Sequence, residues 1–201
     1  NVFDRDGAMT ARTPQLIYFA DAMCSWCYGF APVIEAVRAA FPDLPIRLIN
    51  GGLRPGTTRV MDDADKATIR RHWEHVHAAT GQPFDFRLFE RDDFVYDTEP
   101  AARAVVLMRD HHEASALPFF NRVQRAFYAE GRDVTRPEVL AGLAEEFGRG
   151  RDDFLAAMAD PEASVRAWTD FHVAQRTGVT GFPTVIAGTG GQDGWVLVAQ
   201  G

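Results

Sequence analysis

Two cysteines, Cys24 and Cys27, are the only ones in the 201-residue chain, spaced C-x-x-C within ADAMCSWCYG. Thiols at that spacing can exchange disulfides, hold a metal, or simply fill a core. The apolar run Leu16 to Phe19 precedes them and reads as a buried strand. Phe30, Val33, Ile34, Val37 and Phe41 follow at helical spacing, so a helix over 25–41 is predicted. Cys24 then lies where the helix begins, with Cys27 one turn inside. Unpaired N–H groups and partial positive charge at a helix start stabilise a thiolate at Cys24. The i,i+3 spacing puts Cys27 on the same face, within reach of a mixed disulfide at Cys24. On this reading Cys24 attacks and Cys27 resolves.

The metal reading needs two further ligands, because structural zinc takes about four N or S donors. His72, His75 and His77 in RRHWEHVH are the candidates, although histidines so placed are more often solvated helix-face residues. A second element favours redox chemistry, namely Thr180, Gly181, Phe182, Pro183 and Thr184. Proline before a core strand is expected at its first residue or in an unusual turn, and X-Pro is where cis bonds occur. A cis bond at Phe182–Pro183 would present Gly181 and Phe182 as an edge able to pair with an extended polypeptide.

These residues need a frame to position them. Pro45 to Asn50 reads as a second strand, so strand, helix and strand form a βαβ unit with Pro32 kinking the helix. From Asp62 to about Thr177 the pattern is helical, with apolar stripes Ile69/Trp73/Val76, Ala102/Val105/Val106 and Phe120/Val123/Phe127. Thr135 and Glu138 read as a capping box opening a helix with Leu140, Leu143 and Phe147 that Gly148 ends. Asp160–Pro161 starts a last helix through Val165, Trp168 and Phe171. Thr184 to Ala187 and Trp195 to Val198 then form a hairpin joined by GTGGQDG. A lone hairpin beside a βαβ unit leaves one sheet face uncovered, so a further helix after Gly201 is expected. The organisation is a single domain over 1–201, its core about 14–55 and 178–201, with a helical subdomain inserted at about 60–177.

A net charge of -7 gives no reason to expect nucleic acid or an anionic membrane surface as partner. No stretch reaches the roughly 20 apolar residues of a membrane span. NVFDRDGAMTART has no apolar signal-peptide region, and Met9 is a candidate start with Asn1 to Ala8 vector-derived. Cytoplasmic location is the expectation. There a C-x-x-C is catalytic or metal-binding rather than a structural staple.

Strand, C-x-x-C at a helix start, kinking proline, second strand, helical insertion and G-F-P-T before a hairpin together resemble the thioredoxin superfamily. The inserted helices resemble its DsbA-like branch. DAMCSWCYGFAP, NGGLRPG, YDTEPA and GVTGFPT are similar to the FrnE-like group within it. The resemblance implies an α/β thioredoxin-like fold and a thiol-disulfide oxidoreductase or isomerase. Cys24 would be the nucleophile, Cys27 the resolving thiol and Pro183 the cis-proline facing them. Ser25 and Trp26 form the dipeptide that tunes the potential. Pro-His stands there in many DsbA-like oxidants; Ser-Trp brings no such charge, so a less acidic Cys24 and a less oxidising pair are expected. Where relatives carry a buried acid in the strand, six residues before the first cysteine, this chain has Tyr18. Asp21 is expected to cap the helix rather than act as a base.

Met23, Trp26, Tyr28, Phe182, Gly181 and Thr180 are the expected substrate surface. The partners implied are protein or peptide thiols and disulfides and a redox recycling partner. No cofactor is implied beyond the redox-active pair, with glutathione a candidate co-substrate. Two other functions stay open: a glutathione-dependent isomerase or transferase on the same fold, and a non-enzymatic holdase or metal-binding protein.

Overall fold

The computed structural model describes residues 13–189 and 194–201. Strand β1 (Gln15–Ala20) runs parallel to β2 (Ile46–Asn50), with Tyr18 opposite Leu48. Its other edge pairs antiparallel with β3 (Thr184–Gly188), placing Tyr18 opposite Val185, and β3 pairs antiparallel with β4 (Val196–Gln200). The sheet order is therefore β2-β1-β3-β4. The first and last thirds of the sequence meet on β1, which brings Pro183 beside the cysteines. The expected glycine-rich turn of the β3–β4 hairpin falls partly on 190–193, outside the described residues.

Helix α1 (Ser25–Ala40) links β1 to β2 and includes Pro32. Proline has no N–H to return to the carbonyl four residues earlier. The Tyr28 carbonyl instead accepts a bond from Gln82 Nε2 at 3.0 Å. Of the predicted α1 stripe only Ile34 is fully buried; Val33 and Phe41 are 50% and 60% exposed. Exposed apolar side chains continue onto β4 at Val196, Leu197 and Val198.

The insertion holds α2 (Asp63–Thr80), α3 (Glu99–His111), α4 (Ala116–Tyr128), α5 (Pro137–Glu145), α6 (Arg151–Ala159) and α7 (Pro161–Arg176). α1 packs on α2 and α4, and α7 packs on β2. Trp73 anchors the aromatic core, packing on Phe84, Phe89, Phe127 and Tyr128. None of the described helices is long and apolar enough to cross a membrane.

Two local expectations are corrected. Thr135 does not cap α5, because Arg136 occupies the N-cap and Pro137 the first helical position; the Thr135 hydroxyl donates to Asp133 Oδ1 at 2.5 Å. Proline's fixed φ sets the helix start one residue later than the motif implied. A reciprocal capping box stands on α2 instead, between Asp62 and Asp65. On α7, Val165 and Trp168 are exposed, and the buried face is Ala163, Ala167, Asp170, Phe171 and Ala174. Small alanines let α7 approach closely, and Asp170 fixes it. Its carboxylate takes two bonds from the Arg109 guanidinium, at 2.9 and 3.0 Å, and two from Asn50 at the end of β2.

Candidate active site

Cys24 is the N-cap of α1, with extended backbone and no side chain capping the first turn. The open N–H groups of that turn are thus free for the sulfur. Cys24 is 7% exposed and Cys27 is fully buried behind it. Both are free thiols. The Cys27 thiol, donating to the Cys24 sulfur, is the largest influence on Cys24 and lowers its pKa. Burial opposes this, and the backbone N–H groups of Cys27 and Trp26 reinforce it, leaving Cys24 below the ordinary thiol value. Cys27 moves the other way: burial first, then the neighbouring Cys24, push it well up. The pair is therefore asymmetric, one sulfur primed as an anion and the other held as a thiol.

The bond between Phe182 and Pro183 is cis. Cys24 Sγ donates to the Phe182 carbonyl oxygen at 3.6 Å, so the cysteine and the proline loop face one another. Pro183 is buried, while Gly181 and Phe182 are half-buried and Thr180 is exposed. The carbonyls of the expected edge are occupied. The Thr184 hydroxyl donates to the Gly181 carbonyl, Gly201 N donates to the Pro183 carbonyl, and Gln200 Nε2 donates to the Thr180 hydroxyl. The Phe182 ring packs against Gly51, where an added Cβ would sit 2.2 Å from it. Only glycine fits there, which gives the first residue of GGLRPG a packing role.

Of the expected apolar surface, Trp26 alone stands well out, 42% exposed and edge-on to His75 with ring centroids 5.5 Å apart. Met23 and Tyr28 are corrected to core residues. Met23 is fully buried and its carbonyl accepts from the Tyr96 hydroxyl at 2.7 Å. Tyr28 is stacked on Tyr128 and donates to the Pro83 carbonyl. Beside Trp26 and Pro183 opens an apolar groove of about 510 Å³, lined also by Phe30, Val33 and Ala199.

Asp21 does not cap α1, contrary to expectation. One carboxylate oxygen accepts from Met23 N at 2.9 Å and the other from Leu53 N at 2.7 Å, tying the turn before Cys24 to the loop after β2. Burial is the main cause of its raised pKa, and its charge in turn raises both cysteines. Position in sequence did not separate this buried clamp from a cap. Tyr96 and Tyr128, whose hydroxyls lie 3.4 Å apart, come from the insertion; Tyr96 opens the YDTEPA motif, and Tyr128 carries no motif. His72, His75 and His77 lie on the exposed side of α2, and no group of three or more His, Cys, Asp or Glu able to hold a metal occurs among the described residues.

The chain is 36% identical to a candidate protein disulfide isomerase from Nitrosomonas europaea, with a TM-score of 0.85 over 94% of this chain and 90% of that one. It is 26% identical to the cytosolic disulfide reductase DsbM from Pseudomonas aeruginosa, solved with GSH, with a TM-score of 0.74 over 92% and 89% of the two chains. Among curated proteins it is 22% identical to the ClpXP adapter protein SpxH of Bacillus subtilis, covering 87% of this chain and 58% of that protein's length. A family model for the DSBA-like thioredoxin domain matches residues 15–199. With the sheet order, the inserted helices and the cis-proline facing the C-x-x-C, the match shows that the chain belongs to the DSBA-like thioredoxin domain family.

Proposed function

We propose that the chain is a thiol-disulfide oxidoreductase that reduces disulfides in protein or small-thiol substrates through Cys24 and Cys27. The observation that carries this is the asymmetric pair at the start of α1, its outer sulfur facing the Phe182 carbonyl. Cys24 thiolate attacks one sulfur of a substrate disulfide, forming a mixed disulfide and releasing the other sulfur as a thiol. Cys27 then attacks Cys24, closing the Cys24–Cys27 disulfide and releasing the second substrate thiol. The groove beside Trp26 and Pro183 offers apolar surface to a substrate held across the site. Reduction rather than oxidation fits the uncharged Ser25–Trp26 dipeptide and the likeness to a cytosolic disulfide reductase. Reduction also fits a cytoplasmic location and recycling by glutathione.

Equilibration in glutathione buffers of graded potential, followed by alkylation and mass measurement, tests this. A reversible two-electron transition with a midpoint near about -270 mV is expected, and a midpoint near about -120 mV would make the pair an oxidant. Thiols unpaired across the whole series would end the redox reading. The likeness to an adapter protein supports one alternative, a binding role independent of the thiols. In that case Cys24→Ser would retain partner binding and have no turnover to lose.

A further inference from the structure

Tyr18 sits at the centre of β1, fully buried between Phe30 of α1 and Phe120 of α4, with ring centroids at 6.0 and 6.1 Å. A phenylalanine would satisfy both contacts, so the hydroxyl calls for a separate account. It is buried and has no hydrogen-bond partner of ordinary geometry; the Cys27 sulfur is the side chain near enough to take a weak bond from it. Natural cores rarely leave such an oxygen unpaired without a role, because it has lost water and gained nothing. Its ionisable neighbours are the two sulfurs, Cys27 before Cys24. Burial, then those sulfurs, hold the phenol neutral well beyond the ordinary tyrosine range, so it stays an O–H donor. A thiol sulfur is a weak acceptor and a thiolate a strong one. The weak contact between the hydroxyl and Cys27 in the dithiol form therefore becomes a strong bond when Cys27 loses its proton.

We propose that the Tyr18 hydroxyl donates a hydrogen bond to the anionic Cys27 sulfur, making Tyr18 a catalytic residue of the resolving step. The proposal rests on the thiol-disulfide reading above. In that step substrate sulfur is bonded to Cys24 Sγ. Deprotonated Cys27 attacks Cys24 Sγ; the Cys24–Cys27 bond forms as the bond from Cys24 to substrate breaks. The electron pair leaves on the substrate sulfur, which takes up the proton that Cys27 released. The cysteine pair is oxidised, the substrate is reduced, and Tyr18 keeps its own proton throughout. A buried, uncharged donor lowers the cost of a thiolate at Cys27 without adding a second charge beside Asp21.

Oxidised glutathione is the probe, mixed with reduced wild type and Tyr18→Phe and followed by rapid acid quench and mass measurement. Both proteins should form the Cys24 mixed disulfide at similar rates, and Tyr18→Phe should resolve it slower by on the order of ten-fold. Separately, Cys27 alkylation is titrated in Cys24→Ser and in Cys24→Ser/Tyr18→Phe, where the double variant should titrate higher by about one pH unit. Removing an unpaired hydroxyl should leave Tm unchanged or raised. Equal resolving rates with equal Cys27 titration would overturn the proposal, as would a fall in Tm with Cys27 titration unmoved. A wild type that never forms the mixed disulfide would instead sink the proposed function, and the Cys27 titration would still decide the role of Tyr18.

Discussion

Cys24 Sγ lies 3.6 Å from the carbonyl oxygen of Phe182, a residue 158 positions away. Two segments create this approach: the start of α1, which leaves the sulfur without a competing cap, and the entry to β3, which registers against β1. Neither segment alone holds a thiol against a peptide carbonyl. Together they present a polarised sulfur beside an apolar groove and the exposed face of Trp26.

The two thiols should titrate on opposite sides of the ordinary thiol value. Alkylation of the reduced protein, read by mass, should modify Cys24 below that value and Cys27 only in strongly alkaline buffer. The same shifts set the pH dependence of stability. The lowered Cys24 contributes stability above the unfolded thiol pKa and loses it as pH falls through the folded value. The raised Cys27 contributes fully below the unfolded pKa and loses it as pH rises through the folded value. Denaturant midpoints of the reduced protein should therefore fall in alkaline buffer relative to Cys27→Ala.

Asp21→Asn separates charge from clamp. Removing the carboxylate charge should lower the pH at which both cysteines are alkylated, since that charge raises each of them. An amide has one oxygen for the two N–H groups of Met23 and Leu53, so stability should fall by about 1–3 kcal/mol. Burial raises the folded pKa of Asp21, so its own contribution is full below the unfolded carboxyl pKa and lost as pH rises through the folded one. The deficit of the variant should therefore widen towards acid pH, as chemical denaturation at several pH values would show.

Gly51→Ala tests whether Phe182 is held by shape. The added methyl would meet the Phe182 ring at 2.2 Å, and overpacking of this kind costs about 1–3 kcal/mol. Moving the ring should also displace the Phe182 carbonyl from Cys24. The carbonyl accepts a bond that only the thiol can make, so the expected outcome is a lower Tm together with faster reaction of Cys24 with oxidised glutathione; a lower Tm with an unchanged rate would uncouple the two.

Arg109→Ala removes the cation from a buried pair whose side chains are only 16% and 10% exposed, leaving the Asp170 charge to Asn50 alone. Stranding a buried charge costs about 3–5 kcal/mol. Equilibrium unfolding should show that loss, because the pair joins α3 and α7 to β2.

By itself the sequence determined the parts whose signals are local. The C-x-x-C stands at a strand-to-helix step, β-branched and aromatic runs mark the strands, Asp160–Pro161 opens α7, and Phe182–Pro183 precedes β3. Each is written in neighbouring residues through backbone preference and apolar periodicity. Tertiary structure alone decided which polar and apolar side chains face inward. Met23 and Tyr28 share their stretch with Trp26, yet only Trp26 faces out, because the insertion covers the other two with Tyr96 and Tyr128. Asp21 and Thr135 carry the residue types of helix caps but spend their oxygens elsewhere, since Leu53 N and Asp133 reach them first. In the sequence Tyr18 is notable only for standing where relatives carry a buried acid. Its unpaired hydroxyl beside Cys27 exists only because β1, α1 and α4 close around it, a long-range arrangement that no window of sequence records.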